Sequence, residues 1–235
     1  MRNITNVKRI SRGARLAKIF TFTGLGFLVA GLAISLLVKE SPIVYISFVC
    51  LLLGLVASAV GTMNLNRWVR EPRADQALAQ GLKGFDDRYC LYNYVLPAPH
   101  VLLSPMGLHV LTAMGQDGVI RYEADKFRRD FSAWRVLRFL ADEGLGKPFA
   151  EADAQTQAMQ EYLAAHGAAD GVEIQNVLVF YHPKAELIVT DAPRPVVAPK
   201  GLKKALRKQG VKDLTGEQYR RLQELFEGRA DSTAA

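Results

Sequence analysis

The sequence predicts a two-helix transmembrane hairpin followed by a mixed α/β domain. Three observations carry this. Residues 17–38 and 43–63 are almost purely apolar, each about 21 residues where a bilayer core needs about 20. Charge is segregated: residues 1–18 hold six cations and no acid, whereas residues 74–235 are nearly neutral, with 20 basic and 21 acidic side chains. Beyond residue 70 the hydrophobic pattern switches between short apolar runs and helical spacing, as expected where strands alternate with helices.

Arg2, Lys8, Arg9, Arg12 and Arg15 define residues 1–16 as a basic cytoplasmic N-terminus, and Lys18 sits at the edge of the first span. The hairpin occupies 17–66. Lys39-Glu40-Ser41-Pro42 is too short to support a folded segment, so it is a tight turn, with Pro42 tolerated in a first helical turn. Six Lys/Arg precede the first span or sit at its edge, one lies in the turn and three follow by Arg73. That asymmetry puts both termini and the soluble domain on the cytoplasmic side, with Trp68 as an interfacial anchor beside Arg67 and Arg70. A cleavable signal peptide is the rival for the first span, but its apolar run is long and no A-x-A site precedes Lys39. Small residues recur four apart: Gly26 and Ala30, Gly31 and Ser35, Gly54 and Ser58, Ala57 and Gly61. Such faces permit close helix approach, either inside the hairpin or in a homo-oligomer. Neither span carries an acid, His or Arg, so nothing marks an ion or proton path.

The α/β domain is expected over 71–210. Residues 73–83 form a helix with Ala74, Ala77, Leu78 and Leu82 on one face. Strands follow at 88–96, 100–103, 108–114 and 119–122, with Gln116-Asp117-Gly118 as a hairpin turn between the last two. Phe131, Trp134, Leu137, Arg138 and Ala141 then share a helical face over 130–142. A second helix spans 151–166, with Met159, Tyr162 and Leu163 on one side. The continuous apolar run 175–181 is a strand buried on both faces. Short strands at 186–190 and 195–197 and a helix at 200–209 complete the domain. A C-terminal helix at 215–227 and a disordered tail from Arg229 close the chain.

Most reaction chemistries are missing. Cys50 and Cys90 lack C-x-x-C partners, and His100, His109, His166 and His182 show no metal-ligand spacing. There is no P-loop, no G-x-S-x-G and no dinucleotide fingerprint after a strand. No cofactor and no metal are expected. Lys200, Lys203, Lys204, Arg207, Lys208 and Lys212 make one basic helical stripe. It is a solvated face, a contact for anionic lipid headgroups or a contact for nucleic-acid phosphates.

From Glu71 to about Leu206 the chain resembles the nuclease-related domain, NERD, a branch of the restriction-endonuclease-like (PD-(D/E)xK) superfamily. The resemblance rests on Pro99-His100, the apolar Val101–Leu103, the Ser104-Pro105-Met106-Gly107 turn and the Leu108–Leu111 strand. Farther on, a helix with Gln157 precedes the Val177–Phe180 strand. The resemblance implies a restriction-endonuclease-like fold, a central mixed sheet flanked by helices. It also implies metal-assisted phosphodiester cleavage by two acids and a Lys. The matching positions here are Pro99, Thr112 and Met114, which supply neither a carboxylate nor an ammonium. His100 and Gln157 are what remains of the family's site. The expectation is a catalytically inactive, membrane-anchored binding or scaffolding module. The alternative is a metal-dependent nuclease with a site relocated to Asp117, Glu123 and Asp125.

Overall fold

The computed structural model describes residues 1–37, 41–130, 144–209 and 213–234. Its described residues separate into two units, a helical hairpin over Lys8–Arg73 and a second unit combining Met1–Val7 with the described residues from Ala74 onward.

The hairpin consists of α1 (Val7–Leu37) and α2 (Ser41–Trp68), 31 and 28 residues long. Both are long and apolar enough to cross a membrane. At ~1.5 Å per residue they measure about 46 and 42 Å, more than the about 30 Å of hydrocarbon. The excess on α1 holds Lys8, Arg9, Arg12 and Arg15, so most of the basic N-terminus is helix rather than a tail. Lys39 and Glu40 of the expected turn lie outside the described residues. Ile10, Ala17, Gly24 and Gly31 are the buried residues of α1, seven apart. Ser47, Gly54 and Gly61 repeat the interval on α2. A seven-residue repeat keeps one seam facing the partner helix. A Cβ at Gly54 would stand 2.8 Å from the Leu28 amide nitrogen and 2.9 Å from the Gly24 carbonyl oxygen. One at Gly24 would stand 2.6 Å from the Ser58 nitrogen, and one at Gly61 2.7 Å from the Thr21 nitrogen. These glycines are used for packing within the hairpin. Gly26 faces away from the seam: a Cβ there would meet none of the described residues within 4 Å. Trp68 lies against Gly13, leaving no room for a Cβ there, and the Arg67 guanidinium sits 5.2 Å from its ring centroid.

The second unit is organised by a six-stranded sheet. Its strands are β1 (Arg2–Thr5), β2 (Cys90–Asn93), β3 (His100–Ser104), β4 (Gly107–Met114), β7 (Ile174–Phe180) and β9 (Val196–Val197), and they lie side by side in that order. β2, β3 and β4 form an antiparallel meander; β7 then lies parallel to β4, with Leu111 opposite Val177. The two apolar runs expected at the centre of the sheet are therefore neighbours.

Alternation along these strands makes two packed faces. On one, Tyr92, Val101, Leu103, Leu108 and Val110 meet α4 (Pro148–Ala165) through Met159 and Leu163, and α6 (Gly216–Ala234) through Leu222 and Phe226. On the other, Leu91, Leu102, Leu111, Val177 and Val179 meet α3 (Ala74–Gly81) and Leu82 just beyond it, and α5 (Leu202–Lys208) through Leu202 and Leu206. Helices thus cover both sides of a mixed sheet.

Three features depart from the sequence expectation. Arg2–Thr5 is not a free basic terminus: it pairs parallel with β2, and Arg2 forms a 2.7 Å ion pair with Glu227 of α6. The C-terminal helix belongs to the main core and continues to Ala234, across the expected disordered tail. Gln116-Asp117-Gly118 does not join two paired strands. It carries the chain from β4 into a second sheet built from β5 (Gly118–Glu123), β6 (Lys126–Arg129) and β8 (Ala185–Val189), with β5 in the middle. The helix expected over 130–142 lies outside the described residues, apart from Asp130.

Candidate functional site

The β3–β4 register pairs Val101 with Val110. Pro99 immediately precedes β3. Thr112 and Met114 share the β4 face that carries Val110, the face covered by α4. Of the three positions singled out by the resemblance, Thr112 and Met114 are thus on one face of β4. Pro99 ends the β2–β3 connection, which opens with Tyr94 at φ 60 and is closed by the Tyr94 N–H donating to the Pro99 carbonyl at 2.7 Å.

That β4 face holds a neutral hydrogen-bonded cluster. The Thr112 hydroxyl donates to Gln155 Oε1 at 3.1 Å. Asn176 on β7 donates through Nδ2 to Thr112 Oγ1 at 3.0 Å and to the Ala152 carbonyl at 3.3 Å. Thr156 Oγ1 lies 3.4 Å from the same nitrogen. Thr112 is fully buried and Asn176 nearly so. Hydroxyl and amide groups satisfy one another here, which is how buried polar groups avoid a desolvation cost. Met114 packs with Ile120, Leu178 and Phe180 in an apolar cluster.

The glutamine beside Thr112 is Gln155, not Gln157. Gln157 is on the exposed face of α4 and donates to Glu161 Oε1 at 2.9 Å. Two residues are about 200° of helix rotation, so only one of the pair can face the sheet. His100 is buried on the opposite side of the sheet from Thr112: its Nδ1 is 2.7 Å from Asn93 Oδ1, and its ring meets Tyr94 edge-on at 4.8 Å. Asn93 in turn donates to Asn3 Oδ1 at 2.8 Å, so His100 helps hold β1 against β2.

The acids of the alternative site do not converge on Thr112. Asp117 pairs with Arg129, and Asp125 accepts from the Tyr122 hydroxyl at 3.0 Å. Glu123 stands opposite Lys126 in the second sheet. Among the described residues no three His, Cys, Asp or Glu side chains gather where they could hold a metal ion.

His109 on β4 belongs to no motif, and its position becomes informative only in the fold. It sits between Leu102 of β3 and Gln175 of β7, 1% exposed, and among the described residues neither ring nitrogen meets a partner in hydrogen-bond geometry. Burial pushes its pKa down to about 4, with the Gly107 backbone a smaller opposing influence.

The basic stripe divides in two. Lys203 donates to the Lys83 carbonyl, and Lys203 and Arg207 lie 5.6 and 5.8 Å from the Phe85 ring centroid. Lys204 and Lys208, one position round the helix, line a cleft of about 550 Å³ between α5 and the segment Val189–Val197. Lys200 is exposed beside it, in a 3₁₀ turn. Lys212 lies outside the described residues. No family model, no curated protein and no solved structure matches the chain.

Proposed function

We propose that this chain is an integral membrane protein whose cytoplasmic domain is a catalytically inactive nuclease-related module, acting by binding rather than by cleavage. One observation carries the reading: Thr112 is tied into a network with Gln155, Asn176 and Thr156, and Met114 lies in an apolar cluster. A hard divalent cation needs converging oxygen ligands, usually with two carboxylates, to polarise a phosphate. Amide and hydroxyl groups committed to each other do not supply them.

The order of elements supports the family part of the reading. A helix, a three-strand meander, a crossover helix and a fourth strand parallel to the third follow in the sequence the resemblance implies. Two further features support the placement. Both ends of the hairpin run directly into the same folded unit, β1 on one side and α3 on the other, as an even number of spans requires. The excess of Lys and Arg on those flanks favours the cytoplasm.

The test uses the full chain in detergent micelles. With Mg²⁺ or Mn²⁺ it should cleave neither single- nor double-stranded DNA or RNA. Either metal should leave the melting temperature unchanged, since a ligand held only by the folded state would raise it. Cleavage lost on Asp117→Asn or Glu123→Gln would overturn the inactive reading and establish the relocated nuclease.

A further inference from the structure

The cleft between α5 and Val189–Val197 gives the binding module a ligand class. It lies beside α5 at the β9 edge of the sheet. Val189, Pro193, Pro195 and Val197 supply apolar wall. Lys204 and Lys208 reach it from successive turns of α5, at the i, i+4 spacing that sets two side chains side by side. Arg194 adds a third cation, paired with Asp153 on α4. Asp191 adds a carboxylate to the lining, at the turn where the backbone takes φ 51.

This arrangement differs from a solvated basic face. On such a face, cations spread out and alternate with acids. Here the neighbouring cations Lys203 and Arg207 are occupied by Phe85 and the Lys83 carbonyl, while Lys204 and Lys208 have no acidic partner within ion-pair distance among the described residues. Two ammonium groups are suited to a phosphate as point charges. The apolar wall suits the non-ionic body of a ligand, and about 550 Å³ is within the usual range for a small-molecule site. Gln209 also lines the cleft, its Nε2 donating to the Asn176 carbonyl at 3.4 Å.

We propose that this cleft binds the phosphate of a small phosphorylated ligand through Lys204 and Lys208. The proposal rests on the reading of the domain as a binding module. The phosphate has two available sources, a soluble phosphorylated molecule or an anionic lipid headgroup.

Inorganic pyrophosphate is the probe, titrated calorimetrically into the full chain in nanodiscs of neutral phosphatidylcholine. Saturable binding is expected, weakened at least about tenfold by Lys204→Gln with Lys208→Gln, because two charge-assisted contacts are lost. Lys200→Gln with Arg207→Gln removes the same net charge outside the cleft and should leave the affinity within about twofold. Melting temperatures of both double variants establish that they fold. Repeating the titration in phosphatidylglycerol nanodiscs separates the sources: abolished pyrophosphate binding identifies the headgroup, and preserved binding identifies a soluble ligand. No saturable binding in neutral nanodiscs, or equal weakening by the two double variants, overturns the proposal. Such a failure leaves the cleavage assay untouched, so the loss of this site and the loss of the inactive-nuclease reading are separate results.

Discussion

The two units handle their polar side chains in opposite ways. In the hairpin, Thr21, Ser47, Thr62 and Asn64 each donate to a carbonyl three or four residues back on their own helix, those of Ala17, Val44, Ser58 and Val60. No polar partner from the other helix is needed, and the two backbones can approach over a seam of glycines. In the α/β unit, polar groups are satisfied across elements distant in sequence: Thr112 with Asn176 and Gln155, His100 with Asn93, Asn93 with Asn3. Where water is absent, local satisfaction is the robust solution. Cross-element satisfaction is conditional on every partner being in place, and His109 shows the unit also tolerates a polar ring with none among the described residues. The hairpin should therefore be sensitive to added volume at its seam, and the α/β unit to changes in polar pairing.

The largest expected effect belongs to His109. Its folded pKa is depressed to about 4, against about 6.5 in an unfolded chain. As the pH falls below about 6.5 the unfolded state takes up a proton that the folded state refuses, so the associated stability is full above that pH. It is lost progressively toward pH 4, by about 3 kcal/mol in all. His109→Leu should remove this component and, by replacing an unpartnered buried ring, raise stability at pH 7 by about 1–3 kcal/mol. Denaturant unfolding of both proteins at pH 7.5 and 4.5 checks it. An acid sensitivity unchanged by the substitution would show that His109 has a partner in solution.

Next in size is a contrast inside the hairpin. Gly54→Leu places a side chain where a Cβ alone would stand 2.8 Å from backbone. Overpacking of this kind costs about 1–3 kcal/mol or more. Gly26→Leu, on the same two-helix unit but facing away from the seam, should leave the hairpin intact. Thermal unfolding in micelles ranks the pair. If Gly26→Leu instead abolishes a dimer, that face is the oligomer contact that the four-residue spacing of Gly26 and Ala30 suggests.

Legibility in the sequence follows how local the signal is. The two apolar helices, and the apolar stretches Val110–Leu111 of β4 and Val177–Phe180 of β7, are each readable by themselves. The hairpin seam is visible too, but its true interval is seven (Ile10, Ala17, Gly24, Gly31). Pairs four apart capture only fragments of it. β1 escapes because Arg-Asn-Ile-Thr has neither length nor an apolar run, and its strand character comes entirely from pairing with residues 90–93. The turn at Gln116–Gly118 reveals that the chain changes direction, not which strand receives it, so the second sheet is out of reach. Splitting the basic stripe requires knowing that Phe85 takes Lys203 and Arg207. Nothing in residues 200–208 announces it.

The smallest expected effect separates two glutamines two positions apart. Gln155 and Gln157 carry the same side chain on the same helix, and the family resemblance selects Gln157. In the structure Gln155 Oε1 accepts from Thr112 and its Nε2 donates to Glu151 at 3.1 Å, whereas Gln157 bonds to Glu161 on the exposed face. Replacing Gln155 by Ala leaves the buried Thr112 hydroxyl to Asn176 alone and should cost about 1 kcal/mol, the net value of one intramolecular hydrogen bond. Gln157→Ala removes an exposed i, i+4 contact worth no more than about 0.5 kcal/mol, and Ala's higher helix propensity offsets part of that. Gln155→Ala with Thr112→Val should cost less than the two single changes summed, because the paired groups leave together. Denaturant midpoints of the four proteins measure this coupling. Strict additivity would show that the Thr112–Gln155 bond is not made, and with it would go the closed neutral network on which the inactive reading stands.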